Sequence, residues 1–296
     1  MWGYLWIPIL FSLSKEFSSV EAQSKILLPS QRQRQQNDAV SSLSVLVPRC
    51  PVPDSKLNYR PVIGIVTHPG DGASGRLNNA TNASYIAASY VKFVESAGAR
   101  VIPLIYNEPE DVLFEKLELV NGVLYTGGWA KDGLYYAIVE KVFKKILEKN
   151  DAGDHFPLYA HCLGFELLTM IISKYGISPE TLQKNLDLSR FFKMLTTSAD
   201  EDNKVYVSTV QAYDYPVTAF QWHPEKNAFE WGSSAIPHSE DAIEVTQHVA
   251  NYFISEARWS VNRPPAQKVL DNLIYNYRPT FCGKAGKGFD EVYIFT

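Results

Sequence analysis

The chain predicts an α/β fold built on a mostly parallel central sheet covered by helices on both faces. Three observations carry that reading. Strand-like and helix-like segments alternate four times between residues 61 and 173, the pattern of strand–helix–strand units. The strand-like runs are short and apolar enough to be buried from both sides. The 296 residues, 46% of them hydrophobic, suffice for a full core and are read as one folded domain after a leader.

The first 14 residues, MWGYLWIPILFSLS, form an apolar run too short to span a bilayer and suited to the core of a signal peptide. Val20 and Ala22 place cleavage after Ala22, so residues 1–22 are read as a signal peptide and the secretory pathway as the destination. Residues 23–57 are polar, rich in Gln, Ser and Pro, and are read as a flexible leader, leaving 58–296 as the folded domain. PVIGIVT (61–67) is then a strand, Tyr85 to Ala97 a helix with Ile86, Tyr90, Phe93 and Val94 on one face, and RVIPLIY (100–106) a strand. Ala97-Gly98-Ala99 ends that helix. A helix from Pro109 to Leu119, the strand GVLYTGG (122–128), a helix from Gly133 to Lys149 and the strand FPLY before Cys162 continue the rhythm. Residues 175–203 show a helical piece around Leu186 to Leu195 and no clear strand. VYVSTV (205–210) and PVTAFQ (216–221) read as a strand pair turning near Asp214, and Ser239 to Arg258 as the last long helix.

Composition excludes some functions. A net charge of -4 with no basic face argues against a nucleic-acid partner, and once the signal peptide is removed nothing calls for a membrane. Three cysteines is an odd number; with Cys162 a free thiol, Cys50 and Cys282 remain as a candidate disulfide pair. Asn79-Ala80-Thr81 and Asn82-Ala83-Ser84 are glycosylation acceptors in a secreted chain, although Asn82 could instead cap the next helix. No metal and no cofactor is expected.

The stretch FPLYAHCLGFELL (156–168) sets Cys162 at a strand-to-helix turn, where helix N–H groups and the helix dipole lower a thiol's pKa. A buried cysteine also serves as a small apolar side chain, and the stretch alone does not separate the two readings. A nucleophile needs a base, and FQWHPEK (220–226) offers His223 with Glu225 two residues on, projecting from the same side of an extended segment. Glu225 then orients His223, and His223 faces Cys162. The histidines at 68, 155, 161, 238 and 248 lack such a carboxylate and are read as surface or helix histidines, except that an imidazolium at His161 could also lower the Cys162 pKa. Gly127-Gly128, at the end of a strand, lets a backbone N–H approach a ligand, so Gly128 and Leu163 N–H are the candidate oxyanion donors. Arg76, in a Gly-rich loop after the first strand, is a candidate substrate-binding residue or a solvated loop arginine.

AHCLGFE after a strand, TGG at an earlier strand end and QWHPEK late in the chain resemble the class I glutamine amidotransferase-like superfamily. Within it, YIAASYVKFVESAGARVIPL (85–104) and the EVYIFT ending resemble the gamma-glutamyl hydrolases of the plant type, over about residues 58–296. The resemblance implies a flavodoxin-like three-layer sandwich, hydrolysis of the gamma-linked glutamate chains of folates, a vacuolar or extracellular site of action and a homodimer. It places the nucleophile on Cys162, the base on His223 and the carboxylate on Glu225. Leu163-Gly164-Phe165-Glu166 departs from the L-G-H-Q that usually follows the nucleophile of glutamine amidotransferases, which argues against glutamine as substrate. From Cys162 to His223 this chain has only 61 residues. Members of the family carry a longer stretch there, with further strands and a substrate-facing histidine. An internal segment is therefore read as missing after ISK (172–174), and its loss is expected to leave unpaired strand edges. A catalytically impaired shortened form, or a thiol-dependent peptidase of the same architecture, stands as the alternative.

Overall fold

In the computed structural model, which describes residues 54–72, 82–173, 179–282 and 289–296, the first apolar run becomes strand β1 (Val62–Val66), followed by the short β2 (His68–Pro69). Strand β3 (Ser84–Ala87) leads directly into helix α1 (Ala88–Ser96). Then come β4 (Arg100–Leu104), α2 (Glu110–Leu117), β5 (Val123–Tyr125), α3 (Gly133–Asp151), β6 (Leu158–His161) and α4 (Leu163–Ser173). After them lie α5 (Pro179–Lys184), α6 (Leu186–Phe191), β7 (Phe192–Ala199), β8 (Val205–Ala212) and β9 (Val217–Phe220). The short α7 (Lys226–Phe229), the long α8 (Glu240–Ala257), α9 (Ala266–Asn272), β10 (Thr280–Phe281) and β11 (Glu291–Phe295) complete the described chain.

The large sheet runs β4-β1-β5-β6-β9-β8-β7. Its first five strands are parallel, and in chain order they read 2-1-3-4-5, the flavodoxin-like arrangement. Strands β8 and β7 extend it antiparallel. Successive residues of a strand face opposite sides, and both sides are buried. Val62 and Val66 of β1 join Leu113, Ile138, Val142 and Phe165 under α2, α3 and α4. Ile63 and Ile65 join Phe93, Val94, Phe253 and Ile254 under α1 and α8. The result is three layers, helix, sheet, helix. A second, four-stranded sheet, β10-β11-β3-β2, is antiparallel and lies at the end of β1.

Three expectations require correction. The helix read from Tyr85 begins only at Ala88, because Ser84 to Ala87 pair with β11, a strand more than 200 residues away in sequence. Asn82 therefore caps no helix; it precedes β3, and its carbonyl accepts from Asn107. Residues 192–199, which carry no strand signal of their own, form β7 by pairing with β8. Only Phe192 of β7 is fully buried, and the ladder is irregular around Thr196, so neither alternation nor apolarity marks the segment. The sheet interior is continuous: β6 pairs directly with β9, so the short stretch after Ser173 leaves no unpaired strand between them. Its one outer edge on that side is β7. The signal-peptide reading, Asn79 and Cys50 fall outside the described residues; Cys282 is buried.

Candidate active site

Cys162 follows β6 directly, and its backbone is left-handed, φ 50°. A non-glycine residue there costs about 1–2 kcal/mol, strain that the surroundings hold in place. Its N–H donates to Phe220 O at 2.7 Å, its carbonyl accepts from Glu166 N–H at the start of α4, and Gly164 N–H ties the turn to Thr126 O beyond β5. A side chain on Gly164 would meet Tyr125 Cβ at 2.7 Å, so the glycine lets α4 close on β5. This is the sharp elbow that lifts a nucleophile above a sheet.

His223 lies beyond the end of β9, the strand next to β6. Its alignment with Glu225 differs from the extended geometry read in the sequence. Lys226 N–H donates to His223 O, and Glu225 has helical φ and ψ at the start of α7, so a tight turn brings the two side chains together. Thr246 of α8 pins that turn by donating to Pro224 O at 2.6 Å. His223 Nδ1 lies 2.7 Å from Glu225 Oε1, and Glu225 is wholly buried. His223 also hydrogen-bonds the Cys162 side chain.

The electrostatics favour a charged pair. Burial pushes the Cys162 thiol up, but the hydrogen bond and charge of His223, aided by Leu163 N–H, outweigh it and leave the thiol below its ordinary range. Burial alone would discharge His223; the Glu225 carboxylate and the Cys162 sulfur reverse this and raise it to about 9. Glu225 stays ionised because its two histidines outweigh its burial. A thiolate beside an imidazolium is the resting form of an activated cysteine nucleophile.

Gly127 and Gly128 follow β5, on the other side of β6. Gly127 N–H is taken by Tyr90 Oη at 2.8 Å. Gly128 adopts φ 153°, and a side chain on it would overlap the His68 ring at 2.3 Å. Gly128 N–H is the next backbone donor along the loop, and Leu163 N–H already reaches the Cys162 sulfur. Strands β5, β6 and β9 thus bring the Gly127-Gly128 loop, Cys162 and His223 together from adjacent carboxyl ends, where ligands of such sheets bind. Arg76 lies outside the described residues.

Two further histidines, His68, read from the sequence as a surface or helix histidine, and His161, read as a candidate imidazolium beside the thiol, are buried parts of this region. His161 is fully buried, its ring edges against Phe93 and Phe220, and its Nδ1 lies 2.9 Å from Glu225 Oε2. Burial keeps it below its ordinary range, so it is a neutral donor that holds Glu225 and not an imidazolium beside the thiol. His68 is equally buried. Tyr90, 3.4 Å from His223 Nδ1, was legible only as a core position of α1. Near Cys162, Glu166 pairs with Lys131 and accepts from Gln221. Among the described residues no group of His, Cys, Asp or Glu has metal-binding geometry, and no helix is long and apolar enough to cross a membrane.

Comparison with known proteins gives the family. The peptidase C26 family model matches residues 61–173, the stretch from β1 through α4. Gamma-glutamyl hydrolase 2 of Arabidopsis thaliana is 56% identical, over 100% of this chain and 98% of its own length. The gamma-glutamyl hydrolases of Glycine max (51%, covering 94% of each chain) and Mus musculus (33%, covering 80% of this chain and 90% of its own) are also similar. The alignment with the Arabidopsis protein spans 349 positions against 296 residues here, so that relative carries residues this chain lacks. Matched along its whole length at more than half identity, the chain belongs to the gamma-glutamyl hydrolase family.

Proposed function

We propose that the chain is a cysteine hydrolase that cleaves the gamma-glutamyl bonds of folate polyglutamates, with Cys162, His223 and Glu225 as its triad. The observation that carries the reading is the hydrogen-bonded chain from Cys162 through His223 to the buried Glu225, above the carboxyl ends of two adjacent parallel strands. The Cys162 thiolate attacks the gamma-carbonyl carbon and forms the carbon–sulfur bond while the carbonyl electrons move onto oxygen. Gly128 and Leu163 N–H receive that oxyanion, each contributing about 3 kcal/mol when well aimed. As the intermediate collapses, the carbon–nitrogen bond breaks and the His223 imidazolium gives its proton to the departing amine. A water, losing its proton to the now neutral His223, attacks the thioester carbon; the carbon–sulfur bond breaks, the shortened folate leaves with a new gamma-carboxyl group, and the thiolate–imidazolium pair is restored. Glu225 holds the ring orientation throughout.

The reading extends to entry into the secretory pathway through residues 1–22, action in the vacuole or extracellular space, and a homodimer, supported by the apolar N-terminal run and the family resemblance. The test is glutamate release from a folate polyglutamate by purified protein. Cys162→Ala is expected to abolish release with the fold intact, and iodoacetamide to label Cys162 ahead of Cys50 and Cys282 at neutral pH. Full turnover by the alanine variant, or equal cleavage of alpha-linked glutamyl peptides, would replace this reading with another member of the superfamily.

A further inference from the structure

Beyond the triad, one buried histidine is bound to the loop that carries Gly128. We propose that His68 is a positioning residue whose ring Nε2 fixes the backbone of residues 128–130 and so aims the Gly128 N–H at the reacting carbonyl oxygen; this rests on the assignment of Gly128 as an oxyanion donor.

The tautomer of His68 is set from both sides. Its Nδ1 lies 2.8 Å from Pro69 O, which can only accept, so Nδ1 carries the proton. Its Nε2 faces two donors, Trp129 N–H at 3.0 Å and Ala130 N–H at 3.2 Å, and must accept. The ring also lies against the α-carbon of Gly128, leaving no room there for a side chain. Tyr90 ties Gly127 N–H on the other side. The loop is therefore fastened at 127, 129 and 130, with Gly128 held between the fastenings.

The arrangement needs a neutral ring, since an Nε2–H would confront two N–H groups. Burial pushes His68 down to about 4, against the opposing pull of Pro69 O. The titratable groups facing it are Tyr85 of β3 and Tyr135 of α3, packed edge to ring, and burial keeps both phenols protonated. Trp129 completes the enclosure, and Asp71, on the loop after β2, acts on Tyr85. Position 68 also explains why β2 exists: two residues paired with β3 orient the ring.

The experiment compares two reactions of Cys162. Acylation by 4-nitrophenyl acetate passes through an oxyanion; alkylation by iodoacetamide does not. In His68→Leu the acylation rate is expected to fall about 100-fold while alkylation stays within about two-fold, because the Cys162–His223 pair is untouched. His68→Gln, which restores an acceptor near the Nε2 position, should recover most of the loss. In the parent, the ratio of acylation to alkylation should fall as pH drops toward about 4, and in His68→Gln it should stay flat. An unchanged ratio in His68→Leu, or a parent ratio flat down to that pH, overturns the proposal. If the leucine variant does not fold, the pH dependence of the parent and of His68→Gln decides. The small ester makes this test independent of substrate: failure to cleave gamma-glutamyl bonds would sink the functional reading above and leave the role of His68 to be judged on these ratios.

Discussion

The parallel strands and the antiparallel margin of the large sheet differ in how they are held. All five residues of β1 are buried, and so are all residues of β5, β6 and β9, sealed by helices on both faces. Strand β7 buries one residue of eight, and Leu195 on it, Leu186 of α6 and Val205 of β8 are exposed. Every candidate catalytic group follows a strand of the first kind. The margin brings none of them, and it lies beyond Ser173, where the family model stops matching. A doubly covered sheet holds a site to within the tolerances chemistry needs, whereas the half-covered margin contributes none of the candidate residues.

The sharpest test of the rigid half is Glu225→Gln. One amide cannot accept from both His161 and His223 as the carboxylate does at 2.9 and 2.7 Å, so turnover should fall by about 10³- to 10⁴-fold. The pH profile gives the sign independently. His223 must carry a proton to release the amine, so activity falls as pH rises through about 9, the value set against burial by the Glu225 charge. Without that charge the alkaline limb should move down toward the ordinary histidine value of 6.5. A glutamine variant with an unshifted limb would break the assigned role of Glu225.

The margin has its own test, in a comparison with Arabidopsis gamma-glutamyl hydrolase 2 on one folate polyglutamate at equal active-site thiol. An intact triad without the residues that position substrate keeps attack and loses its frequency, so kcat/KM here should be at least about 100-fold lower. The chain should also melt lower and bind a hydrophobic dye through its exposed margin. Equal rates and equal melting temperatures would show that the residues the relative carries in addition are dispensable. The smallest effects separate the two regions by stability alone. Ile65→Ala in β1, fully buried, should cost about 2–5 kcal/mol by denaturant unfolding, and Leu195→Ala in β7, 44% exposed, should stay within about 0.5 kcal/mol.

Local pattern and motif made much of this legible. The runs that become β1, β4, β5, β6 and β9 announce themselves because burial on both faces leaves few polar residues to blur them. Cys162, His223 and Glu225 stand out because a strand end followed by a turn is a sequence-local event. What could not be read shares one cause. Strand β3 is a strand through its distant partner β11, in a segment whose own period looked helical. His223 and Glu225 meet through a turn held by Thr246 of α8, and not through extended spacing.

The sequence by itself determined the parallel core, the elbow at Cys162 and the candidates Cys162, His223 and Glu225, since each follows from residue type and near-neighbour spacing. Only the tertiary structure decided what the remaining histidines do. His68, His161 and His223 look alike as letters, and their states depend on what surrounds each ring. Two backbone N–H groups and an apolar enclosure keep His68 an acceptor. Complete burial keeps His161 neutral against the opposite pull of the carboxylate, so it serves as a strut that donates to Glu225. The same carboxylate, with the Cys162 sulfur, holds His223 charged. Protonation is set by the balance of desolvation against partners a few ångströms away, and those partners come from strands and helices that only folding brings together.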